Sequence, residues 1–399
     1  MSEAERINHP ISTPELERRW GLVRAAMAER ALDVLLMQNN NDFMGGYVKY
    51  FTDLPATNGY PVTVIFPRDE GMTVIGQGPF NMDRTLPPEG DGLRRGVKRM
   101  MTTPSYAAAP YSVGYDAELA EKGLERFSGA TIGLVGSGTL PHALIEHLKR
   151  GRLSNARFAD AADMVDEIKA VKSEEEIAAM RRTAAMQDAC MEAAFAAAAP
   201  GKKDIEIAAI AEQVGHSWGS EQGLFMAASG PVGTAAVMSN RHTQGRVMRE
   251  GDQFTLLVES NGPGGFYTEL GRTCVLGKAS QEMKNEFDFV LEARRFTLDL
   301  LKPGAKCKDI WDAFNAFMRD HKRPEERRLF CHGQGYDMVE RPLVRFDEPM
   351  QIGKNMVFSC HPTYVTERTY SWICDDFLVG ASGIVERLHQ FPEKIVELG

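Results

Sequence analysis

The spacing of apolar residues changes along the chain and separates two regions. In the first region, short apolar runs that predict strands alternate with stretches whose apolar positions recur at helical spacing. The predicted helices cover residues 13–31 and 141–148, and the predicted strands cover residues 33–37, 62–66, 72–75 and 131–135. Alternation of this kind is typical of an α/β domain.

Between residues 160 and 199 the pattern becomes helical throughout. Ser173 followed by Glu176 forms a capping box, which predicts that one helix ends near Lys172 and that the next begins at Ser173. A further helix is expected from Asp204 to Val214. We therefore predict an N-terminal domain over residues 1–165 and a C-terminal domain over residues 166–399.

Strands dominate the pattern again beyond residue 224. A glycine-rich loop at residues 261–265 separates two strand-like runs, which predicts a β-hairpin of residues 253–259 and 266–276. The later elements are helices over residues 280–301 and 308–320 and a final strand pair over residues 356–365 and 370–379. The whole chain is expected to be of the α/β (α+β) class.

Composition and charge narrow the range of partners. The chain has 399 residues, a net charge of -9 and six scattered cysteines. An acidic protein repels phosphate groups, and no apolar run reaches the ~20 residues of a membrane span, so we expect neither nucleic acid nor a membrane as partner. The polar start Met1 to Glu5 predicts no secretory signal, and dispersed cysteines are typical of reduced thiols, so a cytoplasmic location is expected.

A series of short motifs accompanies the predicted elements. They are Glu167 to Arg181 at the helix junction, Arg249 to Asp252 before the hairpin, Gly265 to Thr273 on its return strand, Leu301 to Gly304, His332 to Gly335, Glu340 to Pro342 and Asn355 to Ser359. In order and spacing this series resembles the creatinase / aminopeptidase P / methionine aminopeptidase superfamily, whose peptidases form family M24. The resemblance covers residues 10–390. It implies a creatinase-type N-terminal α/β domain and a C-terminal pita-bread catalytic domain.

The resemblance also implies a metal site, but with altered ligands. The peptidases of the superfamily hold two ions with two Asp, one His and two Glu, at positions occupied here by Glu259, Glu269, His332, His361 and Cys374. Replacing a bridging carboxylate by His361 removes a charge and a bridge, so we expect no dinuclear site. No cofactor is firmly predicted. Two alternatives stay open: a metal-free site that uses histidine for acid–base work, or one divalent ion among Glu259, Glu269, His332, His361 and Asp375.

Candidate residues follow from the same correspondence. The catalytic candidates are His332, His361, His242, Glu340 and Glu269, and the substrate-binding candidates are Arg272, Glu259 and Arg241. A structural role is the alternative for each, above all for Arg272, which could hold carboxylates together. Creatinase grips its substrate through two carboxylates, at positions held here by Gly271 and His361, so a guanidinium substrate is not expected. The cationic balance favours a substrate that bears a carboxylate or another acceptor-rich group.

The expected function is hydrolysis of a C–N bond in a small amide-type molecule. The alternatives are a metal-dependent Xaa-Pro dipeptidase, a lyase on the same fold and a non-catalytic binding protein, and fold analogy cannot choose among them. The resemblance further implies a homodimer in which the N-terminal domain of one chain reaches the other chain's active site. The polar loop Asn39 to Phe43 is a candidate for that contribution, although an ordinary loop is favoured.

Overall fold

The computed structural model describes residues 9–41, 46–88 and 90–399, and the chain divides into two compact units, Met1–Lys169 and Ala170–Gly399. The polar start Met1 to Glu5 lies outside the described residues, as do Asp42 and Phe43 of the polar loop. The division after Lys169 falls a few residues beyond the predicted boundary, and the domain assignment itself stays a prediction.

The first unit is built on one seven-stranded mixed sheet with the order β4-β5-β3-β2-β1-β6-β7. Its strands are β1 (Val34–Asn39), β2 (Val62–Pro67), β3 (Met72–Gln77), β4 (Met82–Thr85), β5 (Val97–Thr103), β6 (Thr131–Leu134) and β7 (Arg157–Asp160). Its helices are α1 (Thr13–Glu29), α2 (Gly46–Thr52), α3 (Val113–Leu124) and α4 (His142–Arg150), and α5 (Ala162–Ala170) follows. Apolar side chains of the sheet, among them Val34, Ile65 and Ile75, pack against α3 and α4 to form the core.

The second unit contains two larger sheets and a small one. The first larger sheet has the order β18-β10-β9-β8, and its central hairpin pairs Glu259 with Glu269. Its strands are β8 (Gly223–Pro231), β9 (Asp252–Asn261), β10 (Tyr267–Leu276) and β18 (Val396–Leu398). Helices α6 (Glu174–Ala197) and α7 (Asp204–Ser217) bury their apolar sides against this sheet.

The other larger sheet has the order β12-β11-β13-β16-β17 and supplies the histidines. Its strands are β11 (Cys331–Gly333), β12 (Glu340–Leu343), β13 (Val357–Cys360), β16 (Asp375–Val379) and β17 (Ile384–Arg387), and β14 (Thr363–Val365) pairs separately with β15 (Tyr370–Trp372). Helices α8 (Gln281–Leu300) and α9 (Cys307–Asp320) share an apolar core with this sheet.

Backbone hydrogen bonds join the two larger sheets beside the predicted site. The Gly271 N–H donates to the Cys374 carbonyl at 3.1 Å, and the Cys374 N–H donates back to Gly271 at 3.3 Å. The Tyr267 N–H also donates to the Gly335 carbonyl at 2.7 Å. Because these bonds fix one sheet against the other, side chains from both sheets meet in a defined arrangement.

The structure corrects several predicted elements. The N-cap of α1 is Ser12, whose hydroxyl accepts the Glu15 N–H, and α1 ends at Glu29, two residues before the predicted end. The predicted last strand pair is interrupted: it forms β13 to β16, and β17 and β18 follow it. The capping box of Ser173 and Glu176 is confirmed. No helix among the residues described is both long and apolar enough to span a membrane.

Candidate active site

Two glutamates lie side by side where the hairpin faces the second sheet. Glu259 and Glu269 are directly opposite each other on β9 and β10, so their side chains lie on the same face, and both are buried. Burial, followed by the negative charge of Glu269, raises the pKa of Glu259 well above its ordinary value. The pair is therefore divided: its surroundings favour the protonated form of Glu259 and the ionised form of Glu269.

The surroundings of Glu269 stabilise its ionised form. Burial by itself raises the pKa of Glu269, but the interactions of its carboxylate with His361, His332 and Ser359 lower it to about 2. The Ser359 hydroxyl donates to Oε2 of Glu269 at 2.8 Å, and Nε2 of His332 lies 3.4 Å from the same oxygen. Ser359 was not singled out from the sequence, because a serine on a strand gives no signal of its own.

The tautomer of His332 follows from its other contact. Nδ1 of His332 lies 2.9 Å from the Gly333 carbonyl oxygen, which can only accept, so Nδ1 carries the proton in the neutral ring. Nε2 then directs a lone pair towards the Glu269 carboxylate. Two acceptors facing each other in a buried place favour a cation near them, either a proton or a metal ion.

His361 completes the cluster from the residue after β13. The ring centroids of His332 and His361 are 5.2 Å apart. Each of Glu269, His332 and His361 offers one possible ligand atom, and these three atoms lie within 4.8 Å of one another. Burial lowers the pKa of His361, so this imidazole is neutral near neutral pH. We name Glu269, His332 and His361 the EHH cluster.

The EHH cluster fits one divalent ion. Two neutral imidazoles and one ionised carboxylate are a known ligand set for a single ion of the transition series or zinc. They do not fit the superfamily's pair of ions, since a histidine and a cysteine replace the two glutamates and cannot bridge as a carboxylate does. Cys374 is instead fully buried, with its sulfur 3.1 Å from the Ser359 hydroxyl.

Arg272 does not face a substrate, and this corrects the sequence-based assignment. Its guanidinium is buried and its N–H groups donate to the carbonyls of Gly271, Cys374, Phe391 and Pro392 and to the Asp375 carboxylate. A guanidinium has five N–H donors, so none is left for a ligand.

Asp375 is likewise no metal ligand. Its carboxylate accepts from Arg272 at 2.7 Å and also pairs with Arg294 and Arg387. Burial raises the pKa of Asp375, but the charges of Arg272 and Arg294 outweigh it and lower the pKa. Sequence adjacency to Cys374 suggested a ligand, whereas strand alternation turns Asp375 to the opposite face.

Glu340 lies on β12 beside the histidine strand, but internal partners hold its carboxylate. Lys172 Nζ lies 3.1 Å from it, and the Tyr336 N–H donates to it at 2.8 Å. Both side chains of this ion pair are almost wholly buried. The neighbouring Arg341 pairs with Glu348. Glu340 thus fixes the loop after His332.

His242 and Arg241 lie apart from the EHH cluster, at an open pocket of about 730 Å³. Leu224 and Met226 of β8 form one wall, and Arg241 pairs with Glu212 at 2.5 Å. Leu224 is opposite Glu259 in the sheet, so the pocket wall is the strand next to the glutamate pair. The functional roles of His242 and Arg241 therefore stay predictions.

An apolar surface adjoins the glutamate pair. Met226, Leu257 and Gly271 form the next row of the sheet on the same face, and the Trp372 ring lies directly over Gly271. A Cβ on Gly271 would be 2.0 Å from the indole. The space that a side chain at position 271 would need is therefore filled by the Trp372 ring.

Comparison with known proteins agrees with this architecture. The model of metallopeptidase family M24 matches residues 178–382, which is half of the chain. The chain belongs to metallopeptidase family M24. The M24 fold extends further, since an X-Pro aminopeptidase from Thermotoga maritima superposes with a TM-score of 0.77 at 18% identity, over 96% of this chain and 99% of that one. The expected superfamily and pita-bread fold are confirmed.

Relatives among characterised and uncharacterised proteins are distant. An uncharacterised hydrolase/peptidase from Sinorhizobium fredii is 27% identical over 313 residues, 75% of each chain. An Xaa-Pro dipeptidase from Pyrococcus horikoshii is 25% identical over 250 residues, 60% of this chain and 69% of the relative. Membership of the family establishes a hydrolase of the M24 type, and the substrate is a separate question.

Proposed function

We propose that this M24 hydrolase cleaves a C–N bond of a small amide-type substrate at the EHH cluster. The observation that carries the proposal is the convergence of the Glu269 carboxylate and two imidazoles, all buried, beside a second carboxyl whose pKa is raised. A pair of carboxyls held in opposite protonation states is an arrangement suited to acid–base catalysis. Family membership supports the hydrolase class.

We further propose that Glu269, His332 and His361 hold one divalent ion. When bound, such an ion supplies Lewis-acid polarisation of the amide carbonyl and lowers the pKa of water. Ser359 orients Glu269 through its hydroxyl, and the Gly333 carbonyl orients His332 through Nδ1. Glu259 holds the proton that the departing nitrogen requires, on the same face of the hairpin.

His332→Ala tests the scheme. We expect amine release from a panel of N-acetyl amino acids and small amides to fall at least ~100-fold, because a ligand of the proposed ion is lost. Bound metal, measured by mass spectrometry after dialysis, should fall from about one ion per chain to a small fraction. The matched control is His142→Ala, since His142 is an exposed histidine of the first unit.

Several outcomes of this experiment would revise the proposal. Full activity in folded His332→Ala would remove the EHH cluster from catalysis. Activity in a wild-type protein that holds no metal would leave the histidines to act as acid and base alone. An unsaturated product, formed by elimination and not by hydrolysis, would identify a lyase.

A dipeptidase acting on Xaa-Pro substrates is the second candidate, because the Pyrococcus horikoshii relative carries that name. Gly-Pro and Ala-Pro in the presence of Mn²⁺ or Co²⁺ discriminate between the two. The altered ligands predict that these dipeptides remain intact. Efficient cleavage, with two ions bound per chain, would favour the dipeptidase and remove our proposal.

We also propose a homodimer, on the resemblance to creatinase-like proteins alone, and a cytoplasmic location, on the dispersed cysteines and the polar start. Analytical ultracentrifugation at micromolar concentration measures the mass directly. A monomer at all concentrations would contradict this proposal and would leave the EHH cluster unaffected, since all three of its residues come from one chain.

A further inference from the structure

A row of three polar side chains crosses the sheet that supplies the histidines. His332 of β11 lies directly opposite Ser359 of β13, and Ser359 lies directly opposite Asp376 of β16. Residues that oppose each other in antiparallel strands project to the same face of a sheet. Asp375, one residue earlier, points to the other face and binds arginines there. Asp376, unlike Asp375, therefore belongs to the face that carries the EHH cluster.

The backbone geometry brings Asp376 close to Ser359. The Val379 N–H donates to the Met356 carbonyl at 2.9 Å, and the register from this bond to Asp376 is regular. Hydrogen-bonded and non-hydrogen-bonded pairs alternate along an antiparallel ladder, so Ser359 and Asp376 form a non-hydrogen-bonded pair, in which side chains lie closer together. The Ser359 hydroxyl in turn donates to Glu269 at 2.8 Å. A single serine thus lies between the Asp376 carboxyl and the carboxylate of the EHH cluster.

The carboxyl of Asp376 has no internal partner. Its side chain is fully buried, and among the residues that the structure describes neither of its oxygens has a hydrogen-bond partner. Burial, followed by the charges of Glu269 and Asp375, raises the pKa of Asp376 well above its ordinary value, while the Glu269 N–H and the Ser359 hydroxyl act in the opposite direction. Burying a polar group without a hydrogen bond costs free energy, so packing alone does not explain this carboxyl.

The charge of a metal-loaded EHH cluster gives Asp376 a function. Imidazoles are neutral when they bind a metal, so a divalent ion held by Glu269 and two histidines leaves one positive charge uncompensated. Uncompensated charge in a buried place is costly, and a nearby carboxylate offsets it. Glu269 and Asp376 together would match the two charges of the ion.

We propose that Asp376 is an outer carboxylate of the EHH cluster, which compensates the charge of the bound divalent ion and raises its affinity without contacting it. The inference rests on the proposed function for the presence of the ion, but it concerns a residue that is neither a ligand nor a participant in the reaction. Because Asp376 has no hydrogen-bond partner, replacing it should change the stability of the metal-free fold little.

The test is the affinity of metal-free protein for Zn²⁺, Co²⁺ and Mn²⁺, measured at pH 7 by competition with a fluorescent chelator. Asp376→Asn removes the charge and keeps the shape of the side chain, and Asp376→Ser removes the charge with a smaller side chain. The matched control is Asp188→Asn, which removes a buried carboxyl of the same unit whose oxygens accept the N–H groups of Gln390 and Phe391. The absorption bands of bound Co²⁺ and the urea midpoint of each metal-free protein are recorded on the same samples.

We expect both variants of Asp376 to bind each of the three ions ~10-fold to ~100-fold more weakly than the wild type, and Asp188→Asn to bind them as the wild type does. A charge effect acts equally on ions of equal charge and leaves the Co²⁺ bands in place, because the ligands are unchanged. Displacement of Glu269 would instead shift the bands and alter the order of preference among the ions, since that order depends on ligand geometry.

Unchanged affinity in folded Asp376→Asn would overturn the inference, as would shifted Co²⁺ bands or an equal loss in Asp188→Asn. A wild type that binds none of the three ions would remove both the ion and the role of Asp376. If the variants of Asp376 lose affinity as expected while the wild type hydrolyses no amide, the proposed reaction alone is wrong.

Discussion

Replacing Asp375 by Asn should destabilise the second unit strongly and leave its metal site intact. The Asp375 carboxylate is fully buried and pairs with Arg272, Arg294 and Arg387. Asn keeps the size and one acceptor oxygen but removes the negative charge. Two buried guanidinium groups would then face each other without their shared counter-ion, and this is the situation in which breaking a buried ion pair is most costly.

The expected loss in the free energy of unfolding is about 3 kcal/mol. Removing one partner of a buried pair costs ~3–5 kcal/mol, and the lower end applies because Arg272 keeps its carbonyl acceptors and Arg294 keeps Glu393. Asp347→Asn is the matched control, since it removes an aspartate from an exposed pair with Arg345 and should leave the unfolding midpoint unchanged.

Urea unfolding followed by tryptophan fluorescence measures the difference. Three of the four tryptophans, Trp218, Trp311 and Trp372, belong to the second unit, so the signal reports mainly on its unfolding. Metal content after dialysis should equal that of the wild type. A change in stability no larger than that of Asp347→Asn would refute the structural role, and a loss of bound metal from the folded variant would restore Asp375 as a ligand.

Two further predictions follow from buried groups. Burial lowers the pKa of His389 to about 3. Between about pH 6.5 and pH 3 the unfolded chain therefore binds a proton that the folded chain does not. The free energy of unfolding should fall by up to about 1.4 kcal/mol per pH unit as the pH decreases through this window. Urea unfolding midpoints measured at pH 7 and pH 5 test this prediction. If the midpoint of His389→Asn falls as much as that of the wild type between these pH values, the prediction is contradicted. Gly271→Ala should cost ~1–3 kcal/mol because its Cβ would meet Trp372, whereas Gly21→Ala, in a helix with nothing within 4 Å, should be stabilising, as thermal unfolding would show.

The sequence predicted the elements that local rules determine. The capping box at Ser173 and the glycine-rich hairpin loop are local patterns, and the structure has both. Strands such as β4 and β5 were missed because their apolar residues do not form a distinct run, and only pairing with neighbours makes them strands.

Within the site, the sequence correctly grouped the residues whose side chains share one face. It was wrong where the alternation of side chains along a strand turns a residue to the other face. Glu269, His332 and His361 were proposed together and do lie together. Asp375 was included because it follows Cys374, yet on β16 successive side chains point to opposite faces. Ser359 could not be found at all, because its contact with Glu269 depends on how two separate sheets meet.

The charge of the site gives the strongest reason to expect one ion and not two. The superfamily's ligand set of four carboxylates and one histidine balances two divalent cations. Here a histidine and a cysteine replace the two glutamates, and burial beside Glu269 favours the protonated form of Glu259. A buried site with fewer negative charges compensates a second divalent ion poorly, since uncompensated buried charge is costly. A bound cation would also relieve the repulsion between the Nε2 lone pair of His332 and the Glu269 carboxylate. The altered residues are therefore mutually consistent with a mononuclear centre.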